Sequence, residues 1–274
     1  MTFSIVARSA DGQTWGVAVA SKFLAVGSAV PAAVAGIGAI ATQADANVAY
    51  KGLALSHLDD GATAGVALER LLEEDPGRDH RQVGIVDVDG NSATHTGREC
   101  FDWAGGVNEQ DVSIQGNILA GPQVVEAMKT SWDGTYREPD LARRLLAALQ
   151  VGDAAGGDSR GRQSAALLVV RDGAGYGGGD DVAVDLRVDD HELPCTELER
   201  LLDLNDLYLT ASTDDEKVEV TPDLQSELDD RARKLGHPDF IAWVGTENFE
   251  MRIGKGWVGA KVLEILRDRT GGQA

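Results

Sequence analysis

Apolar positions open the chain with a period of two and later change to the period of a helix. Residues 2–8 and 14–20 are apolar and rich in β-formers. Ser9-Ala10-Asp11-Gly12-Gln13 between them carries the Asp-Gly turn signal, so the spacing predicts a hairpin. Residues 28–34 and 37–43 predict a second strand pair turning at Gly36. The period then lengthens. Leu53, Leu55 and Leu58 fall along a helix over 47–58 that ends near Gly61. Val66, Leu68, Leu71 and Leu72 fall along another over 63–74, stopped by Pro76-Gly77. Strands return at 82–88 and 91–96 around the Asp89-Gly90 turn, and again at 111–119.

Gly121-Pro122 opens a helix reaching about residue 131, and 141–149 is a further amphipathic helix. Residues 152–161 form a Gly/Asp-rich loop. The continuous apolar run 164–171 predicts a central strand buried on both faces, followed by a strand at 182–188 and a Leu-rich helix at 196–209. Strands and helices thus come in blocks. Blocks of this kind predict an α+β fold of mainly antiparallel sheets covered by helices over residues 1–209, and argue against a strictly alternating Rossmann sheet.

Residues 210–220 are polar and acidic and read as a linker. Thr221 then caps a helix with Pro222 at its first position. Leu224, Leu228, Ala232 and Leu235 form its apolar stripe, and Phe240, Trp243, Phe249, Trp257 and residues 262–266 complete a small core. Residues 221–274 are therefore expected to be a small helical domain, marginal for folding alone.

Composition changes this picture in one respect. Hydrophobic residues at 43% and charged residues at 26% are ordinary for a globular chain, but 45 acidic against 25 basic residues leave a net charge of -20. Such a field repels phosphate, so nucleic acid and anionic membranes are poor partners. Lysine is scarce, and an acidic, Lys-poor surface suits concentrated salt; a halophilic source is expected. The two cysteines, Cys100 and Cys195, make neither a CxxC pair nor a disulfide framework. No basic region followed by an apolar one opens the chain, and the apolar stretch 23–41 is broken by Pro31 and glycines, so the chain reads as cytoplasmic.

Several blocks together resemble a known family. They include Met1-Thr2-Phe3-Ser4-Ile5-Val6-Ala7-Arg8, Gly16-Val17-Ala18-Val19-Ala20-Ser21-Lys22, and Ala41-Thr42-Gln43-Ala44-Asp45-Ala46-Asn47. Gln115-Gly116-Asn117-Ile118-Leu119-Ala120-Gly121-Pro122 is the most characteristic, and Gly156-Gly157-Asp158-Ser159-Arg160-Gly161-Arg162-Gln163 is another. Residues 2–208 resemble domain-of-unknown-function family 1028, assigned to the Ntn-hydrolase-like superfamily. The resemblance implies a four-layer αββα sandwich and a hydrolytic ancestry without a substrate. The tail around Trp243-Val244-Gly245-Thr246-Glu247 is similar to a small peptidoglycan-binding-like domain attached to that family.

Ntn hydrolases use the first mature residue as nucleophile and its α-amine, with a pKa near 8, as base. By that resemblance Thr2 becomes the nucleophile once Met1 is removed; otherwise Thr2 simply begins an edge strand. Ser4 shares its face as a relay hydroxyl or a structural serine. Ser21 and Lys22 end the second strand beside Thr2, where the ammonium would lower neighbouring pKa values or merely be solvated. Gln115 and Asn117 alternate around Gly116 and either donate to a developing oxyanion or fix a bend before Pro122. Arg160 and Arg162 either clamp a substrate carboxylate or pair internally with Asp185, Asp189 or Asp190. Asp45, Asn47, His95 and His191 are the remaining polar candidates, with Asp45 and Asn47 assigned to substrate binding. Cys100 reads as a small buried hydrophobe. No zinc-type spacing is present, and no metal or cofactor is expected.

These residues are compatible with three functions. The first is an amide-bond hydrolase acting from Thr2 on a small-molecule or peptide-like amide. The second is a catalytically silent scaffold that binds a small ligand or assembles as a homo-oligomer. The third, from the tail, is a glycan-binding module.

Overall fold

The computed structural model describes residues 2–271. The chain divides into two compact units, Met1–Arg200 and Leu201–Ala274. Among the described residues no helix is long and apolar enough to cross a membrane.

The first unit opens with the hairpin β1 (Thr2–Arg8) and β2 (Trp15–Ser21). Next are the one-turn helix α1 (Val26–Ala29), strands β3 (Pro31–Val34) and β4 (Gly38–Ala44), and helices α2 (Tyr50–Asp59) and α3 (Ala64–Glu73). Then come β5 (Arg81–Asp87), β6 (Ser92–Thr96), β7 (Gly105–Glu109) and β8 (Val112–Asn117), and helices α4 (Gln123–Gly134) and α5 (Leu141–Ala154). Strands β9 (Ser164–Val170) and β10 (Val182–Val188) precede α6 (Pro194–Tyr208), which contains the point of division.

The strands form a six-stranded sheet in the order β10-β9-β2-β1-β8-β7 and a four-stranded sheet in the order β3-β4-β5-β6. Every ladder within them is antiparallel. The sheets pack face to face; α4 and α5 cover the first, and α2 and α3 cover the second. This is the four-layer αββα sandwich that the resemblance implied. Alternation along β4 shows why: Ala39 and Ala41 face the other sheet with Val6, Val17 and Val19, while Ile40 faces α2 and α3 with Leu58 and Leu71.

The layer between the sheets changes character along its length. Inward positions on β1 run from Val6 to Ser4 to Thr2, on β2 from Val19 to Ser21, and on β4 from Ala41 to Gln43. On β8 the same phase reads Ser113, Gln115, Asn117. One end of the sandwich is therefore a dry apolar core, and the other, where β1 begins, is polar. That polar end holds the candidate site.

Several boundaries depart from the sequence expectation. Residues 28–29 belong to α1 rather than to a strand, and α5 continues to Ala154 into the expected loop. Strand β7 was not foreseen, because Gly105-Gly106-Val107-Asn108-Glu109 has no apolar alternation. Thr2 begins a central strand, not an edge strand.

The second unit is not purely helical. Strand β11 (Lys217–Glu219) pairs with β13 (Trp257–Gly259), which also pairs with β12 (Ile253–Gly254). Helices α7 (Pro222–Lys234), α8 (Phe240–Glu247) and α9 (Ala260–Arg269) enclose Leu228, Trp243, Phe249 and Val262. Trp243 and Phe249 lie 5.5 Å apart between ring centroids. Residues 210–220 are folded rather than a free linker. Glu216 accepts a bond from Arg252 Nη1 at 2.9 Å, and Arg252 Nε donates to Leu207 O at 3.0 Å. Acidic composition hid a segment whose charge is answered by an arginine far along the chain.

Candidate functional site

Thr2 sits at the start of β1 between β2 and β8, with Asn117 as its cross-strand partner. Directly paired Cα atoms in such ladders lie about 4.5–5.5 Å apart. Thr2 Oγ1 is 3.1 Å from Ser21 Oγ on the other side, and the two residues are 6% and 2% exposed. The Thr2 carbonyl accepts bonds from Gln43 Nε2 at 3.3 Å and Asn117 Nδ2 at 3.5 Å. Both of those amides also donate to Gln82 Oε1, each at 2.8 Å. Gln82 Nε2 in turn donates to Gly116 O at 2.7 Å. One glutamine thus orients the two amides that grip the Thr2 carbonyl.

Gln115 lies two residues deeper and does not reach the open end. Its Nε2 donates to Ser4 Oγ at 2.7 Å, its Oε1 accepts from Ser113 Oγ at 2.8 Å, and the residue is fully buried. Gln115 thus lies off the cavity that Asn117 lines, with its amide bonded to Ser4 and Ser113. Ser4 is likewise a structural hydroxyl, donating to Gln43 Oε1 at 2.7 Å.

The loop after α5 passes over the ends of β2 and β8. Asp158 Oδ2 accepts from Lys22 N at 2.7 Å, Asp158 Oδ1 accepts from Arg160 N at 2.9 Å, and Asp158 bridges to Leu119. Arg160 Nη2 donates to Lys22 O at 3.2 Å and to Asp158 Oδ2 at 3.3 Å. The Lys22 ammonium donates to Arg162 O at 3.2 Å, so it braces this loop. Arg162 pairs with Asp153 at 2.7 Å in a separate surface hollow. The carboxylates that answer the two arginines are thus Asp158 and Asp153, where Asp185, Asp189 or Asp190 was expected. Gln163 instead donates to Asp190, and Asp185 is held by Arg187.

A cavity of about 270 Å³ opens next to Asn117, lined also by Ala44, Asp45, Cys100, Ile118 and Arg160. Ala44 and Ile118 hold left-handed backbones at φ 68° and 49°. For a β-branched residue such as Ile118 that geometry is strained, and strain of this kind collects at ligand sites. Asp45 is pinned by Arg81, whose Nη1 lies 3.0 Å from its Oδ2. Arg81 Nε reaches Asp75 Oδ2 at 2.9 Å, and Tyr50 Oη donates to the same oxygen at 2.8 Å. Asn47 lies off the cavity and donates to Asp75 at 3.4 Å.

The electrostatics come from these partners. The Arg81 guanidinium holds the Asp75 carboxyl well below the usual range, helped by Tyr50 and Gly77 N–H against the opposing effect of burial. Burial, then the Asp75 carboxylate, push the Tyr50 phenol up. Burial also raises the Cys100 thiol, which donates to Arg81 O at 3.4 Å and is thereby a poor nucleophile. His95 is bonded to Arg78 O at 2.9 Å, and His191 Nδ1 accepts from Leu193 N at 3.0 Å. Among the described residues no cluster of His, Cys, Asp or Glu has the shape of a metal site.

The structure thus brings Thr2, Ser21 and Asn117 together; of these Asn117 lines the cavity, with Asp45 and Arg160, and Gln115, Asn47 and Arg162 lie outside it. Sequence reasoning missed Gln43, Gln82 and Asp158. The first two carry a legible signal, since each interrupts the inward apolar phase of its strand. Asp158 carries none beyond its glycine-rich surroundings.

A four-layer antiparallel sandwich with a polar, hydroxyl-bearing end defines the class of this protein. The chain belongs to the family of unknown function DUF1028, whose model matches residues 2–198. It is similar to the crystal structure of protein SPO2555 from Silicibacter pomeroyi, of the same family. The two are 31% identical with a TM-score of 0.67, over 78% of this chain and 90% of that one. A fainter likeness, at 12% identity and a TM-score of 0.34, links 74% of this chain to 94% of the Anbu (Gly-1) mutant from Hyphomicrobium sp. strain MC1. No curated protein matches the chain.

Proposed function

We propose that the first unit is an amide-bond hydrolase of the Ntn type, working from Thr2 once Met1 has been removed. Met1 itself lies outside the described residues. The carrying observation is the 3.1 Å pair of Thr2 Oγ1 and Ser21 Oγ at the start of a central strand, whose cross-strand partner Asn117 lines a cavity. A free α-amine accepts the Thr2 hydroxyl proton, with Ser21 as relay, and Oγ1 attacks the amide carbon. The amine then gives its proton to the leaving nitrogen as the C–N bond breaks, and water cleaves the resulting ester. Asn117 is the oxyanion donor, because its 3.5 Å bond to Thr2 O is the weaker of its two and the easier to give up.

The test is acylation by a β-lactone, followed by intact-mass and peptide mapping. The expected adduct sits on Thr2 of the chain lacking Met1. It is absent from Thr2→Ala and from a chain carrying an uncleavable N-terminal extension. Equal labelling of the extended chain overturns the mechanism. A specific observation favours a second reading, a silent ligand-binding scaffold: both N–H groups of Asn117 and the amide of Gln115 already have acceptors. No Thr2 adduct under any condition supports that reading.

A further inference from the structure

The cavity at Asn117, the cross-strand partner of Thr2, has walls of opposite charge, and they come from different sheets. Arg160 belongs to the loop stitched over the six-stranded sheet through Asp158 and Lys22 O. Asp45 lies just past β4 and Glu99 just past β6, both at the end of the four-stranded sheet. Asn117, itself buried, lines the cavity with them. Two of the wall groups are fixed. The Asp158 carboxylate that holds Arg160 is only 2% exposed, and Asp45 is tied to Arg81 at 3.0 Å. Both walls are also open to a ligand, with the Arg160 side chain 47% exposed and those of Asp45 and Glu99 76% and 55%.

This arrangement discriminates by charge. A dianion meets Arg160 but is disfavoured by Asp45 and Glu99, a repulsion moderated by Arg81 at 3.0 Å from Asp45 and Arg98 at 3.8 Å from Glu99, with His80 also in the lining; a dication meets the reverse. A molecule with one carboxylate and one ammonium satisfies both walls, and its charge-assisted bonds are the strong ones. Size narrows the class further. The volume of about 270 Å³ is on the order of nine water molecules. That accommodates an amino acid or dipeptide, or one end of a longer molecule.

We propose that this cavity binds a small α-amino zwitterion, a free amino acid or dipeptide, with its carboxylate on Arg160 and its ammonium against Asp45 and Glu99. The proposal names the substrate class of the hydrolase site and rests on that reading only for the chemistry after binding.

Calorimetry on the full chain carrying Thr2→Ala separates binding from turnover. The probes are L-alanyl-L-alanine and L-glutamine, against neutral N-acetyl-L-alaninamide and dianionic succinate. At least one zwitterion is expected to bind tenfold or more tighter than both controls. Arg160→Gln should weaken it at least tenfold and Glu99→Gln severalfold. Arg160→Lys, which keeps the charge and guards against a folding defect, should retain part of the affinity. Equal binding of N-acetyl-L-alaninamide or succinate, no binding of either zwitterion, or indifference to Arg160→Gln in a folded chain each overturns the assignment. β-Lactone labelling of Thr2 in the unmutated chain is scored separately. Labelling without zwitterion binding sinks the pocket assignment alone, and binding without labelling sinks the hydrolase alone.

Discussion

Ser4 Oγ donates to Gln43 Oε1 at 2.7 Å, and this bond crosses from one sheet to the other. It belongs to a chain of amides and hydroxyls running through Gln115, Gln43, Gln82 and Asn117, all 0–1% exposed. A buried amide without a partner costs about 1–3 kcal/mol, so this layer is stable only while it is complete. Its directional bonds also favour this register of the two sheets over others.

The first prediction concerns Gln82. Gln82→Leu keeps the volume but removes the shared acceptor of Gln43 and Asn117 and the donor to Gly116 O. Gln43 retains Thr2 O and Gln115 O as alternatives, which softens the loss. A destabilisation of about 3 kcal/mol is expected from urea unfolding monitored by circular dichroism. A loss below about 0.5 kcal/mol, the level of a surface substitution, would show that the layer does not hold the sheets.

Gly84 supplies the second. A methyl there would lie 2.6 Å from Gln115 Cδ, so the missing side chain is what lets Gln115 lie across β5. Gly84→Ala should cost about 1–3 kcal/mol by overpacking. The cost should shrink by about 1 kcal/mol or more in a Gln115→Ala background, where the obstacle is gone. Strictly additive effects in the four-chain cycle would mean the two residues do not compete for that space.

Much of this architecture was readable in the sequence. The Asp11-Gly12 and Asp89-Gly90 turns and the leucine spacing of α2 and α3 place most elements within a few residues, because periodicity reports which face is buried. The polar layer was only half readable. Gln115 and Asn117 stand out, being amides flanking a glycine in an apolar strand, but their partners Gln43 and Gln82 come from another sheet. Sequence spacing carries no information on which strand faces which across a sandwich. Gln115 looked like an oxyanion donor until its acceptor, Ser4, its partner on the neighbouring strand of the same sheet, was in place. Lys22 misled differently: it follows Ser21 just past the end of β2, and its ammonium turns to Arg162 O, a direction that the loop conformation sets.

The third prediction is a pH dependence. Arg81, above all, holds the Asp75 carboxyl below its usual value in the folded chain. A depressed folded pKa means the stabilisation is fully present above the unfolded value near 3.9 and is lost as pH falls towards the folded value. Asp75→Asn should therefore cost about 3 kcal/mol at pH 7, where it leaves Arg81 without its nearly buried partner. The gap between variant and parent should close progressively below about pH 4. An equal gap at pH 7 and pH 3 would assign the loss to packing instead.

The last prediction concerns salt. The chain carries 45 acidic and 25 basic residues, so even if every basic residue were paired, a net charge of -20 would remain. Many of the cations present are already committed to nearby carboxylates, as with Arg200 and Glu197 at 2.6 Å or Lys261 and Glu264 at 2.8 Å. Exposed pairs of this kind contribute about 0–1 kcal/mol each, and salt screens them. Salt also screens the repulsion among the surplus carboxylates, over a Debye length that shrinks from about 10 Å at 0.1 M to about 3 Å at 1 M. The two effects oppose each other. The pairs act at contact distance, where screening is least effective, whereas the surplus repulsion is summed over many longer distances, where it is most effective. Repulsion therefore falls faster than attraction, and the urea midpoint should rise between 0.1 M and 2 M KCl. Replacing four exposed acids far from any cation by Asn or Gln should flatten that rise while raising the low-salt midpoint. A midpoint that is equal or higher at 0.1 M KCl rules out adaptation of this surface to concentrated salt.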